Sequence, residues 1–136
     1  MKLIQLTILL SGVLFFASCK DDAAEPIDLT GDWQSTSIHV KGKLQEDISN
    51  STWLLLKKDN LFQRNYVVGR WSLNEKNLAL SPNADLSIQP MYYKVVNFSG
   101  ASMTLEITLT EQAYGWDFED VEPNELITVT EVYSRR

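Results

Sequence analysis

Residues 103–110 alternate apolar and polar side chains more regularly than any other part of the chain. Successive side chains of a β-strand point to opposite faces, so this pattern predicts a strand with one buried and one solvated face. A helix through the same segment would scatter the apolar residues around its axis. The apolar positions are Met103, Leu105, Ile107 and Leu109.

Other segments after residue 30 also read as strands, and none has a helical period longer than about two turns. Gly69 separates two of them, and we expect a bulge or tight turn there. The spacing predicts an all-β, antiparallel up-and-down meander, either a sandwich or a closed barrel. The further predicted strands are residues 33–40, 52–57, 61–68, 70–73, 78–80, 92–98 and 126–133.

Composition excludes several function classes. The chain has 12 Lys and Arg against 18 Asp and Glu, a net charge of -6, which argues against nucleic acid as a partner. One Cys and one His exclude an internal disulfide framework, thiolate zinc sites and, within one chain, multi-histidine metal sites. With no nucleophile–base pair and no Gly-rich phosphate loop in the sequence, we expect neither an enzyme nor a cofactor.

The N-terminus has the pattern of a signal peptide. Lys2 is the one charged residue among residues 1–18, and the apolar stretch that follows is shorter than the ~20 residues of a transmembrane helix. The segment ends in Phe16-Ala17-Ser18-Cys19, which resembles the bacterial lipoprotein box. The resemblance implies cleavage before Cys19 and lipidation of its thiol; the alternative is an ordinary secretory signal with an incidental Cys.

A polar tether follows the predicted lipidation site. Lys20, Asp21 and Asp22 resemble the signal that sends some Gram-negative lipoproteins to the cell surface, although charged residues also suit a simple solvated tether. We therefore expect a signal peptide at residues 1–18, a lipidated tether at 19–30, and a protein anchored to the outer membrane and facing the cell surface.

The predicted domain, residues 31–136, opens with Gly31-Asp32-Trp33, and this Gly-x-Trp start resembles the bacterial lipocalin-like lipoproteins. The stretch from Gly69 to Leu73 and the strand from Ile127 to Tyr133 support the resemblance. It implies a small eight-stranded barrel in which Trp33 plugs one end and Arg135 packs on the ring. The alternative is that Trp33 is an ordinary core aromatic.

An eight-stranded barrel is either filled by its own side chains or holds one small ligand. Aromatic side chains with polar tips can line such a cavity and orient a ligand. The candidate ligand-binding residues are Trp53, Tyr66, Trp71 and Tyr93. The function we expect is non-catalytic binding of a small apolar ligand, or an accessory role in the envelope.

Residues 111–125, the acidic loop, contain 6 of the 18 acidic residues and no Lys or Arg, together with Tyr114, Trp116 and Phe118. The acids lack the central Gly and terminal Glu of a calcium-binding EF-hand loop, so we expect no metal site. The loop is either a solvated hairpin connection with aromatics against the barrel or a surface for a protein partner. The alternative function is therefore a structural or interaction module with a filled barrel.

The lipoprotein interpretation predicts that Cys19→Ala abolishes lipidation, because the acyl chains are attached through this thiol. Labelled fatty acid should enter the wild-type protein and not the variant. Incorporation of label into the Cys19→Ala protein would contradict the interpretation.

Overall fold

The computed structural model describes residues 26–136. The predicted signal peptide at residues 1–18, the predicted lipidation site Cys19, and the predicted export signal of Lys20, Asp21 and Asp22 lie outside the described residues. Nearly all regular structure in the described part is β, and none of its helices is long and apolar enough to cross a membrane.

Nine strands follow one another along the chain, with one short helix, α1, at Glu111–Tyr114. Two single turns of 3₁₀ helix lie at Glu46–Ile48 and Ala84–Leu86. The strands are β1 (Gly31–Val40), β2 (Lys43–Leu44), β3 (Trp53–Leu56), β4 (Leu61–Arg64), β5 (Val67–Asn74), β6 (Asn77–Pro82), β7 (Met91–Phe98), β8 (Ser102–Leu109) and β9 (Ile127–Arg135).

The sheet closes on itself. From β3 to β9 each strand pairs antiparallel with the next, and β1 pairs with both β3 and β9. The closing pair runs from Trp33 opposite Arg135 to Val40 opposite Val129. The short strand β2 pairs with His39 and Val40 at the end of β1, whereas β3 pairs with the start of β1. The prediction of an all-β antiparallel meander that closes into an eight-stranded barrel is confirmed, with β2 as an extra strand.

Alternation along the strands builds the core. Met103, Leu105 and Ile107 of β8 are buried. They lie opposite Tyr133, Glu131 and Val129 of β9, which are also buried. Because the inward side chains of the two strands lie directly opposite one another, this pair forms one continuous wall of the barrel interior.

Gly69 does not divide two strands, so the expected bulge or turn at this position is wrong. Strand β5 runs through it without a shift in register, and the turn lies earlier, at Asn65 and Tyr66. Gly69 faces Pro82 on β6, and a Cβ at this position would collide with the carbonyl oxygen of Ser81. The glycine permits close approach of two backbones rather than a change of direction.

The start of β1 closes one end of the barrel. Trp33 is completely buried and its Nε1 donates to the carbonyl of Leu29 at 2.9 Å. Phe98 meets the ring edge-on, with centroids 6.2 Å apart. On the other side, the guanidinium carbon of Arg135 lies 4.3 Å from the Trp33 ring centroid. We call this the closed end.

Gly31 is required by the same arrangement. Its φ of 147° is rarely adopted by other residues, and a Cβ there would overlap the guanidinium of Arg135. That guanidinium is held by Nη1 donating to the carbonyl of Thr30 at 2.8 Å. Leu29, two residues before β1, is also completely buried.

Replacing Trp33 with Ala should lower the free energy of unfolding by about 3–5 kcal/mol, because it empties the closed end. Arg135→Ala should cost less, since a cation–π contact contributes about 0.5–1 kcal/mol at an exposed site. The two losses should not add, because each residue is the other's partner. Urea melts of both single variants and the double variant measure this coupling. A loss below about 1 kcal/mol for Trp33→Ala would show that it does not hold the end closed.

Candidate ligand-binding site

A cavity of about 640 Å³ lies at the end of the barrel opposite Trp33. Its walls are the inward side chains Phe62, Val67, Leu80 and Met91, from strands β4 to β7. The β6–β7 connection and helix α1 form its rim. This site, the open-end cavity, has mostly apolar walls, as is typical of small-molecule sites.

A carboxylate lies inside the barrel next to this cavity. Glu131 is completely buried on β9, at a parity where an apolar residue would be expected. Its Oε1 accepts from Arg64 Nη2 at 3.0 Å and from the Tyr114 hydroxyl at 2.7 Å. The Tyr93 hydroxyl approaches the same oxygen at 3.4 Å, and Tyr133 donates to Oε2 at 2.6 Å. These five residues are called the Glu131 cluster.

Four elements of the fold bring the Glu131 cluster together. Arg64 ends β4, Tyr93 lies on β7, and Glu131 and Tyr133 lie two residues apart on β9, so their side chains share the interior face. Tyr114 comes from helix α1, outside the sheet. Its hydroxyl reaches Glu131 because α1 packs over the mouth of the barrel.

Helix α1 is a single turn with defined ends. The Thr110 side chain caps its start by accepting from the backbone N–H of Ala113 at 3.3 Å. Gly115 ends it in the left-handed conformation with φ of 87°. Tyr114, the last residue of the turn, is thereby directed into the barrel, where Arg64 lies 5.6 Å from its ring centroid.

Arg64 lines the open-end cavity and offers more donors than the barrel uses. A guanidinium carries five N–H donors. Nη2 bonds Glu131, whereas the buried Nε has no hydrogen-bond partner within residues 26–136. Glu131 already accepts from four side chains, so the unused donors of Arg64 have no carboxylate left to bind.

The buried environment shifts the pKa values of the three tyrosines and of Arg64. Burial raises the pKa values of Tyr93, Tyr114 and Tyr133 above the ordinary 10.0, and the charge of Glu131 raises them further. Burial alone would lower the pKa of Arg64, but the oxygens of Tyr93 and Glu131 raise it above its usual value. The three phenols therefore stay protonated and able to donate.

The four residues predicted to bind a ligand are not brought together. Tyr93 belongs to the Glu131 cluster. Tyr66 is 98% exposed at the β4–β5 turn. Trp53 donates its Nε1 to Asp32, and Trp71 donates its Nε1 to the carbonyl of Lys57 at the closed end, at 2.9 Å. None of the four lines the open-end cavity.

Sequence reasoning missed Glu131 and Arg64, and it expected Tyr114 against the barrel only as one of the acidic-loop aromatics. The signal for Glu131 was an acidic residue at the buried parity of the last strand, between Val129 and Tyr133. Arg64 shows the same signal, since it shares parity with the buried Phe62. Tyr114 had no such signal, because a loop has no period from which its direction could be read.

The acidic loop is partly held by the barrel. Glu111 is buried and accepts from the backbone N–H of Phe118 at 3.1 Å, and Lys41 pairs with Glu125 at 2.7 Å. Trp116 remains 48% exposed. Within the described residues, no group of three or more His, Cys, Asp or Glu side chains is arranged to hold a metal ion.

Stability should fall as the pH rises above about 10. Unfolding exposes Tyr93, Tyr114 and Tyr133 to water, where they lose protons near pH 10, whereas the fold keeps them protonated. The contribution of these tyrosines to the free energy of unfolding is complete below about pH 10 and is lost as the pH rises further. Urea midpoints between about pH 8 and about pH 11 measure the effect.

Tyr133→Phe is the control for this dependence, because it removes one buried phenol and keeps the ring. The slope of stability against pH should become shallower by up to about 1.4 kcal/mol per pH unit. Equal slopes in the two proteins would show that folding does not raise the pKa of Tyr133.

No protein-family model matches the chain, and no curated protein matches it significantly. The geometry of the barrel is therefore what indicates a function.

Proposed function

We propose that the protein binds a small, largely apolar molecule in the open-end cavity, as a non-catalytic lipoprotein of the bacterial outer membrane. The observation that carries this proposal is the cavity itself, about 640 Å³ with apolar walls and one charged side chain at its floor. That volume lies within the roughly 300–1,000 Å³ typical of small-molecule sites.

Binding fits the Glu131 cluster better than catalysis does. A general base must reach the proton that it removes. Glu131 is completely buried, and both of its oxygens already accept hydrogen bonds from the protein. The carboxylate therefore holds the floor of the cavity in place instead of meeting a substrate.

The position of the cavity suits a lipid anchor at Cys19. The described chain begins next to the closed end, where Leu29 packs against Trp33. A lipid on Cys19 would tether the barrel by that end. The mouth of the cavity would then lie at the end of the barrel opposite this attachment.

The alternative function is a protein-interaction module that acts through the acidic loop. Its support is the half-exposed Trp116 among the exposed acids Asp117, Glu119, Asp120 and Glu122. A partner for this surface would be basic, with an apolar group to cover the indole. This function does not require the open-end cavity to be occupied.

Two adjacent valines on β5 allow a matched test of ligand binding. Val67 lines the open-end cavity, whereas Val68 is 39% exposed on the opposite face. Val67→Trp should fill the cavity and weaken binding of the neutral fluorescent probe phenylnaphthylamine by at least about tenfold. Val68→Trp adds the same side chain outside the barrel and should leave the affinity unchanged. Thermal melts check that both variants are folded.

Probe binding that is equal in the wild type and both variants would place the probe elsewhere and contradict the proposal. No binding to the wild type would contradict it as well, and the acidic-loop function would then be preferred.

A further inference from the structure

Arg64 carries hydrogen-bond donors that the barrel does not use. Glu131 accepts from Arg64 and three tyrosines, so its acceptor capacity is used by the protein. Arg64 has further N–H groups, and its buried Nε has no partner within residues 26–136. A buried donor without a partner carries a desolvation cost. Arg64 itself lines the cavity, so its remaining N–H groups are the donors that a ligand would meet there.

The charge at the floor is balanced. Arg64 and Glu131 form an ion pair at 3.0 Å, with 15% and 0% of their side chains exposed. Arg64 is the one charged side chain of the described residues that lines the cavity. A ligand beside Arg64 therefore meets a pair with no net charge, not an isolated cation.

These two facts distinguish between kinds of acceptor. An anionic head group would lose much of its hydration, and repulsion from the Glu131 carboxylate would offset part of its attraction to Arg64. A neutral carbonyl oxygen loses less hydration, carries no charge for Glu131 to repel, and still accepts a hydrogen bond from the guanidinium.

We propose that the open-end cavity selects a neutral apolar molecule with a carbonyl oxygen, such as an ester, ketone or amide, whose oxygen accepts from Arg64. This rests on the proposed function, because it assumes that the cavity takes a ligand. The apolar part lies along Phe62, Val67 and Met91, and extends towards the exposed Ile88 at the rim.

Three probes of equal chain type test the proposal on the wild-type protein. Methyl decanoate carries a neutral carbonyl, decanoate an anionic head group, and decane no acceptor. Displacement of phenylnaphthylamine should show methyl decanoate binding at least about tenfold more tightly than either of the others. Decane cannot accept a hydrogen bond from Arg64, and decanoate can do so only by burying a charge.

Each other result overturns the proposal. Decanoate binding as tightly as the ester would show an anion site, and decane binding as tightly would show that Arg64 plays no part. Both results leave the proposed function intact, since the cavity is then occupied. If phenylnaphthylamine does not bind, the proposed function fails together with this inference.

Glu131→Gln provides a second test, because it leaves Arg64 without its counter-charge. The ratio of decanoate to methyl decanoate affinity should rise by about tenfold or more in this variant. Glu75→Gln is the matched control: it makes the same charge change at an exposed turn at the closed end and should leave the ratio unchanged. An unchanged ratio in folded Glu131→Gln protein would overturn the proposal; if that variant does not fold, the wild-type measurement decides.

Discussion

Burying the charge of Glu131 is the constraint on which the open half of the barrel depends. A carboxylate taken out of water costs several kcal/mol unless it is paired and hydrogen-bonded. This barrel supplies an arginine and three phenols from β4, β7, β9 and helix α1. An apolar side chain at this position on β9 would need none of these partners. The buried carboxylate of Glu131 therefore accounts for the arginine and the tyrosines around it and for the attachment of the acidic loop through Tyr114.

The fold could be predicted largely because a strand shows its two faces in its sequence. The alternation from Met103 to Leu109 gave the burial of β8 directly, and the Gly-x-Trp start marked where β1 begins. Gly69 was misread because a glycine that breaks a strand and one that lets two strands approach are the same in sequence. The difference lies in Ser81 on the neighbouring strand, which no local pattern reveals.

Much less of the candidate site could be predicted, and the reason is physical. Aromatic residues were selected as ligand contacts by type, but exposure depends on position: Tyr66 lies on a turn in solvent, while Tyr93 lies inside. The better signal was a charged residue at buried parity, which both Arg64 and Glu131 show. Arg64 and Glu131 are 67 residues apart along the chain, so pairing them required knowing that β4 and β9 face each other across the barrel.

Helix α1 has a consequence for how the molecule moves. A single helical turn has little stability of its own, and this one is held over the mouth by the bond from Tyr114 to Glu131. Lifting it would remove a donor from a buried carboxylate and admit water to the ion pair. The acidic loop and the barrel interior therefore share one source of stability, the hydrogen-bonded Glu131 carboxylate.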